Sequence, residues 1–280
     1  MEVFQTIKSL QQCLSGISQE KSIGLVPTMG ALHKGHLSII QRAKKENDFV
    51  VVSIFVNPTQ FDKKEDLINY PKTLSTDLEA LESLHCDFVF IPAVEEIYQE
   101  SLSTEHFDFD GLDKVMEGKF RPGHFDGVAT IVKKLFLIIA PDKAYFGEKD
   151  YQQLLIIKKM VALEKLPVEI VPCEIFREKD GLAMSSRNVR LTPQQRATAP
   201  EIYQTLLKSK KLFESKDLSS IKSFVKNEFI QNKELDLEYF EVSDKETLKI
   251  SEEIIPNHKY HAFIAVFAGP VRLIDNIALN

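Results

Sequence analysis

The chain has 280 residues, 44% of them hydrophobic and 27% charged, proportions of a globular protein that exclude a disordered chain or a collagen-like repeat. Its 35 basic and 41 acidic residues leave a formal charge of −6, so no global basic field draws it to nucleic acid or an anionic membrane. A length near the upper limit for one hydrophobic core allows one large domain or two, and a main domain with a smaller partner is the expected division.

The N-terminus, MEVFQTIKSLQQ, lacks a basic region followed by an apolar run, and no stretch approaches ~20 uninterrupted apolar residues. Cys13, Cys86 and Cys173 are odd in number and widely spaced, without a CxxC pair or metal-ligand spacing, and read as buried thiols in a reducing compartment. The expected location is the cytoplasm.

In chain order, β-branched apolar runs at Ile23–Thr28, Phe49–Val56, Asp87–Ile91, Lys143–Phe146 and Val168–Val171 alternate with helical periods at Gly35–Asn47, Ser75–His85, Phe125–Ile139 and Lys149–Glu164. That alternation predicts βαβ units and a parallel sheet. Ser75 or Thr76 is the expected cap of the second helix, and Pro141 stops the third. Beyond about residue 175 come two polar helices, Pro193–Glu214 and Leu218–Lys233, then strands near Leu235–Val242 and Tyr260–Phe267, which suggest a small α+β domain. The predicted division is 1–175 and 176–280, with the polar stretch Phe176–Leu191 as a candidate hinge.

The polar clusters follow the strands. After the first comes Pro27-Thr28-Met29-Gly30-Ala31-Leu32-His33-Lys34-Gly35-His36, where a helix N-terminus meets a strand's carboxyl end, the usual ligand position of open α/β sheets. His33 and His36, three apart, either donate to phosphate oxygens from one face or simply cap the turn. A zinc reading lacks a third ligand. Asn57 and Gln60, in Phe55-Val56-Asn57-Pro58-Thr59-Gln60-Phe61, offer neutral groups for hydroxyl and carboxylate recognition, or form an Asn-Pro turn. Lys149, in Phe146-Gly147-Glu148-Lys149-Asp150, opposes the dipole of the helix it begins, which bound phosphate would reverse; otherwise it points to water. Asp180-Gly181-Leu182-Ala183-Met184-Ser185-Ser186-Arg187-Asn188 reads as a mobile phosphate clamp or a turn-rich linker. Phe120-Arg121-Pro122-Gly123-His124-Phe125-Asp126-Gly127 positions an anion or starts a helix. Cations and amide donors with no Ser–His–Asp order and no nucleophilic cysteine suit phosphoryl or nucleotidyl transfer by electrostatic stabilisation.

His33-Lys34-Gly35-His36 resembles the HxGH signature of the nucleotidyltransferase superfamily, and Met184-Ser185-Ser186-Arg187 its second phosphate-binding loop. The ordered set PTMGALHKGH, VSIFVNPTQF, FRPGHFDGVATIV, FGEKDYQQL and DGLAMSSRN, over roughly residues 23 to 192, with RLIDN at 272–276, resembles the pantothenate synthetase (pantoate:beta-alanine ligase) family. The resemblance implies a Rossmann-like α/β N-terminal domain, a smaller α+β C-terminal lid domain and a homodimer. It implies an ATP-dependent condensation of pantoate with beta-alanine through pantoyl adenylate, with Mg2+ accompanying the ATP. Carried over by motif, Met29, Gly30, Ala31, Leu32, His33, Lys34, Gly35 and His36 line the ATP site, with His36 as proton donor. Gly147, Glu148, Lys149, Asp150, Met184, Ser185, Ser186 and Arg187 contact the nucleotide, as does Phe176, where the family often has a smaller aliphatic residue. The same resemblance gives Gln60, Gln153 and Asn57 to the substrates and Asp77 to magnesium, with Thr76 where a second acid can occur; Val271 replaces a common Thr. Two rivals are a nucleotidyltransferase that retains the nucleotide in its product and a nucleotide-binding module without turnover.

Overall fold

A computed structural model describes residues 1–62, 64–99 and 101–280. In chain order the elements are β1 (Glu2–Phe4), α1 (Ile7–Leu14), β2 (Ile23–Thr28), α2 (Lys34–Glu46), β3 (Phe49–Ile54), α3 (Lys64–Ile68), α4 (Leu74–Ser83), β4 (Phe88–Phe90), α5 (Val94–Ile97), α6 (Met116–Phe120), α7 (His124–Ile139) and β5 (Lys143–Gly147). There follow α8 (Tyr151–Glu164), β6 (Glu169–Cys173), α9 (Pro193–Thr198), α10 (Glu201–Phe213), α11 (Leu218–Ile230), β7 (Asp236–Asp244), β8 (Tyr260–Ala268) and β9 (Val271–Ala278).

The chain divides into two compact units. The first comprises residues 1–110, 121–148 and 153–174; the second comprises 111–120, 149–152 and 175–280.

The first unit carries the parallel sheet that the βαβ alternation predicts, in the order β1-β4-β3-β2-β5-β6. Val50, Val51 and Val52 of β3 are fully buried, as expected for a strand covered on both faces. One side of the sheet packs on α2 through Ile40 and Ala43 and on α4 through Leu81. From β2 the chain adds β3 and β4 on one side, then returns to place β5 on the other, so β2 and β5 flank the topological switch point. They pair only at Gly24↔Lys143 and Leu25↔Ala144, whereas β2 and β3 pair along the whole strand. The carboxyl ends of β2 and β5 therefore part, and both lead into predicted site motifs.

The second unit is α+β, as expected. Its antiparallel sheet runs β7-β8-β9 and packs Val242, Ala262, Ile264 and Val266 against Leu206 of α10 and Ile221 and Val225 of α11.

Three details depart from the sequence expectation. The helix expected over Pro193–Glu214 is two helices, because Pro200 has no amide to donate and its ring crowds the preceding turn. The cap of α4 is Thr73, not Ser75 or Thr76. Third, β1 and β9 lie outside the expected strands, although β1 forms an edge of the parallel sheet and β9 completes the antiparallel one.

Candidate active site

The loop after β2 is held by hydrogen bonds to a helix distant in the chain. Gly30 (φ 77°) and Ala31 (φ 49°) lie consecutively in the left-handed region, a strain that persists only where surroundings impose it. The restraint is Asp77 of α4, which is 2% exposed. Its Oδ2 accepts from the Ala31 amide at 2.9 Å, and its Oδ1 accepts from the Leu32 amide at 2.8 Å and from Thr73 Oγ1 at 3.1 Å. A Cβ on Gly30 would stand 3.1 Å from Asp77 Oδ2, and at φ 77° any side chain would be strained, so the position favours glycine.

The loop delivers His33 and His36 to the start of α2, where they cap each other. His33 Nδ1 accepts from the Gly35 amide at 3.1 Å, and the His33 amide donates to His36 Nδ1 at 3.3 Å, with the ring centroids 4.0 Å apart. The two readings of this pair are therefore compatible. Because both Nδ1 atoms accept, each neutral ring carries its proton on Nε2, the tautomer that donates from the far edge.

Asn57 and Gln60 follow β3. Asn57 is 1% exposed; its amide donates to Gly127 O at 3.1 Å and to Gln60 Oε1 at 3.2 Å, while its Oδ1 accepts from Tyr98 Oη at 2.7 Å and Thr59 Oγ1 at 3.1 Å. Its polar capacity goes into these four partners, Gln60 among them, rather than into an open contact. Gln60 Nε2 also reaches Met29 Sδ at 3.2 Å, which joins the second motif to the first. The FRPGHFDG segment supports the same residue: His124 Nδ1 donates to Gln60 O at 2.7 Å, and Arg121 donates to that carbonyl at 3.3 Å and to Asp62 at 3.3 Å. Gly147 ends β5 and Glu148 opens the 3₁₀ turn that follows, both in this unit, and Gln153 lies half-buried in the first turn of α8.

The remaining candidates belong to the second unit. Lys149 and Asp150 lie in a 3₁₀ turn ahead of α8, with Lys149 Nζ 3.5 Å from Asp150 Oδ1. Phe176 accepts at its carbonyl from the Met184 amide, and Arg177 and Ala183 bridge in antiparallel fashion, so the DGLAMSSRN segment opens as a tight hairpin. Ser185 then caps the turn Ser186–Arg190 by accepting from the Arg187 amide at 3.2 Å. Gln152, which no sequence signal singled out, is 3% exposed and holds α6 by accepting from the Glu117 amide and donating to Leu112 O and Val115 O.

Among the described residues no group of three or more His, Cys, Asp or Glu side chains could hold a metal ion. Asp77, the residue the resemblance gives to magnesium, already accepts three hydrogen bonds from its own chain, so the described residues offer no cage of side chains for the cation.

A profile of the pantoate-beta-alanine ligase family matches residues 2–278. The chain belongs to this family. It is 52% identical to the pantothenate synthetase of Christiangramia forsetii, with all of both chains covered. Among solved structures, the pantothenate synthetase of Thermus thermophilus superposes with a TM-score of 0.92 at 40% identity, covering 100% of this chain and 99% of that one. The ligase of Francisella tularensis, complexed with beta-gamma ATP and beta-alanine, gives 0.82 at 36% identity, covering 100% and 98%. Membership in a ligase family disfavours both rivals. No helix among the described residues is long and apolar enough to cross a membrane.

Proposed function

We propose that the chain joins pantoate to beta-alanine at the expense of ATP in two steps: pantoate attacks the α-phosphate to give pantoyl adenylate and pyrophosphate, then the amine displaces AMP. The observation that carries this reading is the reciprocal histidine cap at the switch point of the parallel sheet, in a chain matched by the ligase profile almost end to end. Neutral rings locked as Nε2–H donors suit charge developing on phosphate oxygens, because they need no reorganisation as the reaction proceeds.

In this reading Met29 to His36 line the nucleotide site, and His36 donates a hydrogen bond from Nε2 to the departing pyrophosphate while the neutral ring keeps its proton. Lys149 and Arg187 neutralise phosphate charge. Gly147, Glu148, Asp150 and Met184 to Ser186 contact the nucleotide, and Phe176 does so through its backbone. Gln60 and Gln153 bind pantoate, with Asn57 setting the Gln60 amide. Magnesium enters with the ATP phosphates rather than on Asp77. The acyl group is not carried on a cysteine: burial pushes the Cys86 thiol up to about 11 and raises that of Cys173, which disfavours the thiolates. The family resemblance supports a homodimer, which light scattering would test, and three free thiols support a cytoplasmic location.

Pantoate labelled with heavy oxygen in its carboxylate tests the chemistry. One labelled oxygen should leave in AMP, and pyrophosphate should exchange into ATP when pantoate is present without beta-alanine. His36→Ala should slow that exchange by ~10²–10³, the usual effect of losing one preorganised donor. Label in inorganic phosphate with ADP as product means an acyl phosphate route and sinks the proposal.

A further inference from the structure

The last strand carries a polar pair that packing does not explain. β9 alternates Val271, Leu273 and Ile277 toward the helices of the second unit, and Asp275 occupies the same series at 4% exposure. Asn276 beside it is 3% exposed on the other face. A buried carboxylate and a buried amide in a short strand are costly unless each is bonded, and such violations of patterning gather at functional sites.

Both are bonded to motifs already described. Asn276 Nδ2 donates to the Lys149 carbonyl at 2.8 Å, and a carbonyl only accepts, so the amide orientation is determined. Asn276 Oδ1 must then accept from His261 Nε2, 2.7 Å away, which makes His261 the Nε2–H tautomer. The His261 ring stacks at 4.4 Å and 19° on Tyr151, the first residue of α8. Lys149 precedes α8 by two residues, so its carbonyl lies outside the helix's own ladder and takes its donor from β9. Asp275, for its part, binds Arg177 through both oxygens at 2.6 and 2.9 Å, and Arg177 donates to Gly181 O at 3.1 Å while lying 3.7 Å over the Tyr203 ring.

We infer that Asn276 is a positioning residue for adenylation, acting through the backbone of Lys149, while Asp275 ties the same strand to the hairpin that precedes Ser185 and Arg187. Two adjacent side chains of one strand thereby set the turn bearing the lysine and the root of the serine–arginine loop. The inference rests on the proposed role of Lys149.

The test is a double-mutant cycle read by pantoate-dependent pyrophosphate–ATP exchange on the full-length protein, with Asn276→Ala, Lys149→Gln and the pair. Asn276→Ala should lower the exchange kcat roughly tenfold, about the effect of one lost hydrogen bond, with the pantoate KM unchanged. In the Lys149→Gln background the same change should cost less than about twofold, because the interaction it serves is already gone. Asn276→Asp retains an acceptor for His261 and can donate to the Lys149 carbonyl only while its carboxyl is protonated, so its exchange rate should fall toward that of the alanine variant as pH rises, relative to wild type. Equal losses in both backgrounds, a rate for Asn276→Asp that follows wild type at every pH, or failure of both Asn276 variants to fold overturns the inference and leaves Asn276 a structural residue. A near wild-type rate for Lys149→Gln instead removes the role of Lys149, and the inference with it.

Discussion

At Asp77 the partners in space say more than the residue's type. The resemblance gives this acid to magnesium, and within the chain its two oxygens take the amides of Ala31 and Leu32 and the hydroxyl of Thr73. The sequence placed Asp77 in the first turn of a helix and could go no further, because its partners in the loop lie more than forty positions away. Asp77→Ala leaves two amides of a left-handed loop without an acceptor, at roughly 1–3 kcal/mol each. We expect the variant to lose most adenylation while the magnesium concentration for half-maximal rate stays as in wild type. A severalfold rise in that concentration would return Asp77 to the metal. His33 and His36 were legible in the sequence as a pair three residues apart, but their tautomers were not, since these follow from which amides the Nδ1 atoms accept.

At the scale of elements, the junction of α7 with the turn Pro58–Gln60 decides how Gln60 is held. A Cβ on Gly127 would come within 2.5 Å of Thr59 O and 2.9 Å of Gln60 N, both backbone atoms that cannot rotate away. Gly127→Ala should therefore destabilise the fold by about 1–3 kcal/mol, as overpacking does. It should also raise the KM for pantoate more than that for ATP, measured by initial rates and a denaturant melt. An unchanged pantoate KM in a folded variant would separate this packing from substrate binding. The strands Ile23–Thr28 and Phe49–Ile54 matched their apolar runs closely, because burial on both faces leaves an uninterrupted signal. The start of α4 did not, because Thr73 at its N-cap position makes no side-chain bond to a backbone amide and bonds the Asp77 carboxylate instead.

For the molecule as a whole, one buried imidazole ties stability to pH. Burial beside Asn276, with the more distant charges of Lys245 and Lys210, pushes the His261 pKa down to about 4 from 6.5. The unfolded chain thus takes up the proton first as pH falls, so stability is lost between about pH 6.5 and 4 and levels off below, by roughly 3 kcal/mol. Denaturant melts of wild type and His261→Gln across that window check it: the variant should show the smaller fall, and parallel curves would mean that His261 does not titrate as described. The alternation of apolar runs and helical periods by itself determined a parallel α/β sheet followed by an α+β segment, because those periodicities record which faces are covered. The ordered motifs determined the family. The tertiary structure alone decided that residues 111–120 and 149–152 join the second unit, that Asp77 holds the histidine loop, and that Asn276 reaches Lys149. Each depends on contacts between groups far apart in the chain, and such pairings leave no period, cap or spacing in one sequence from which to read them.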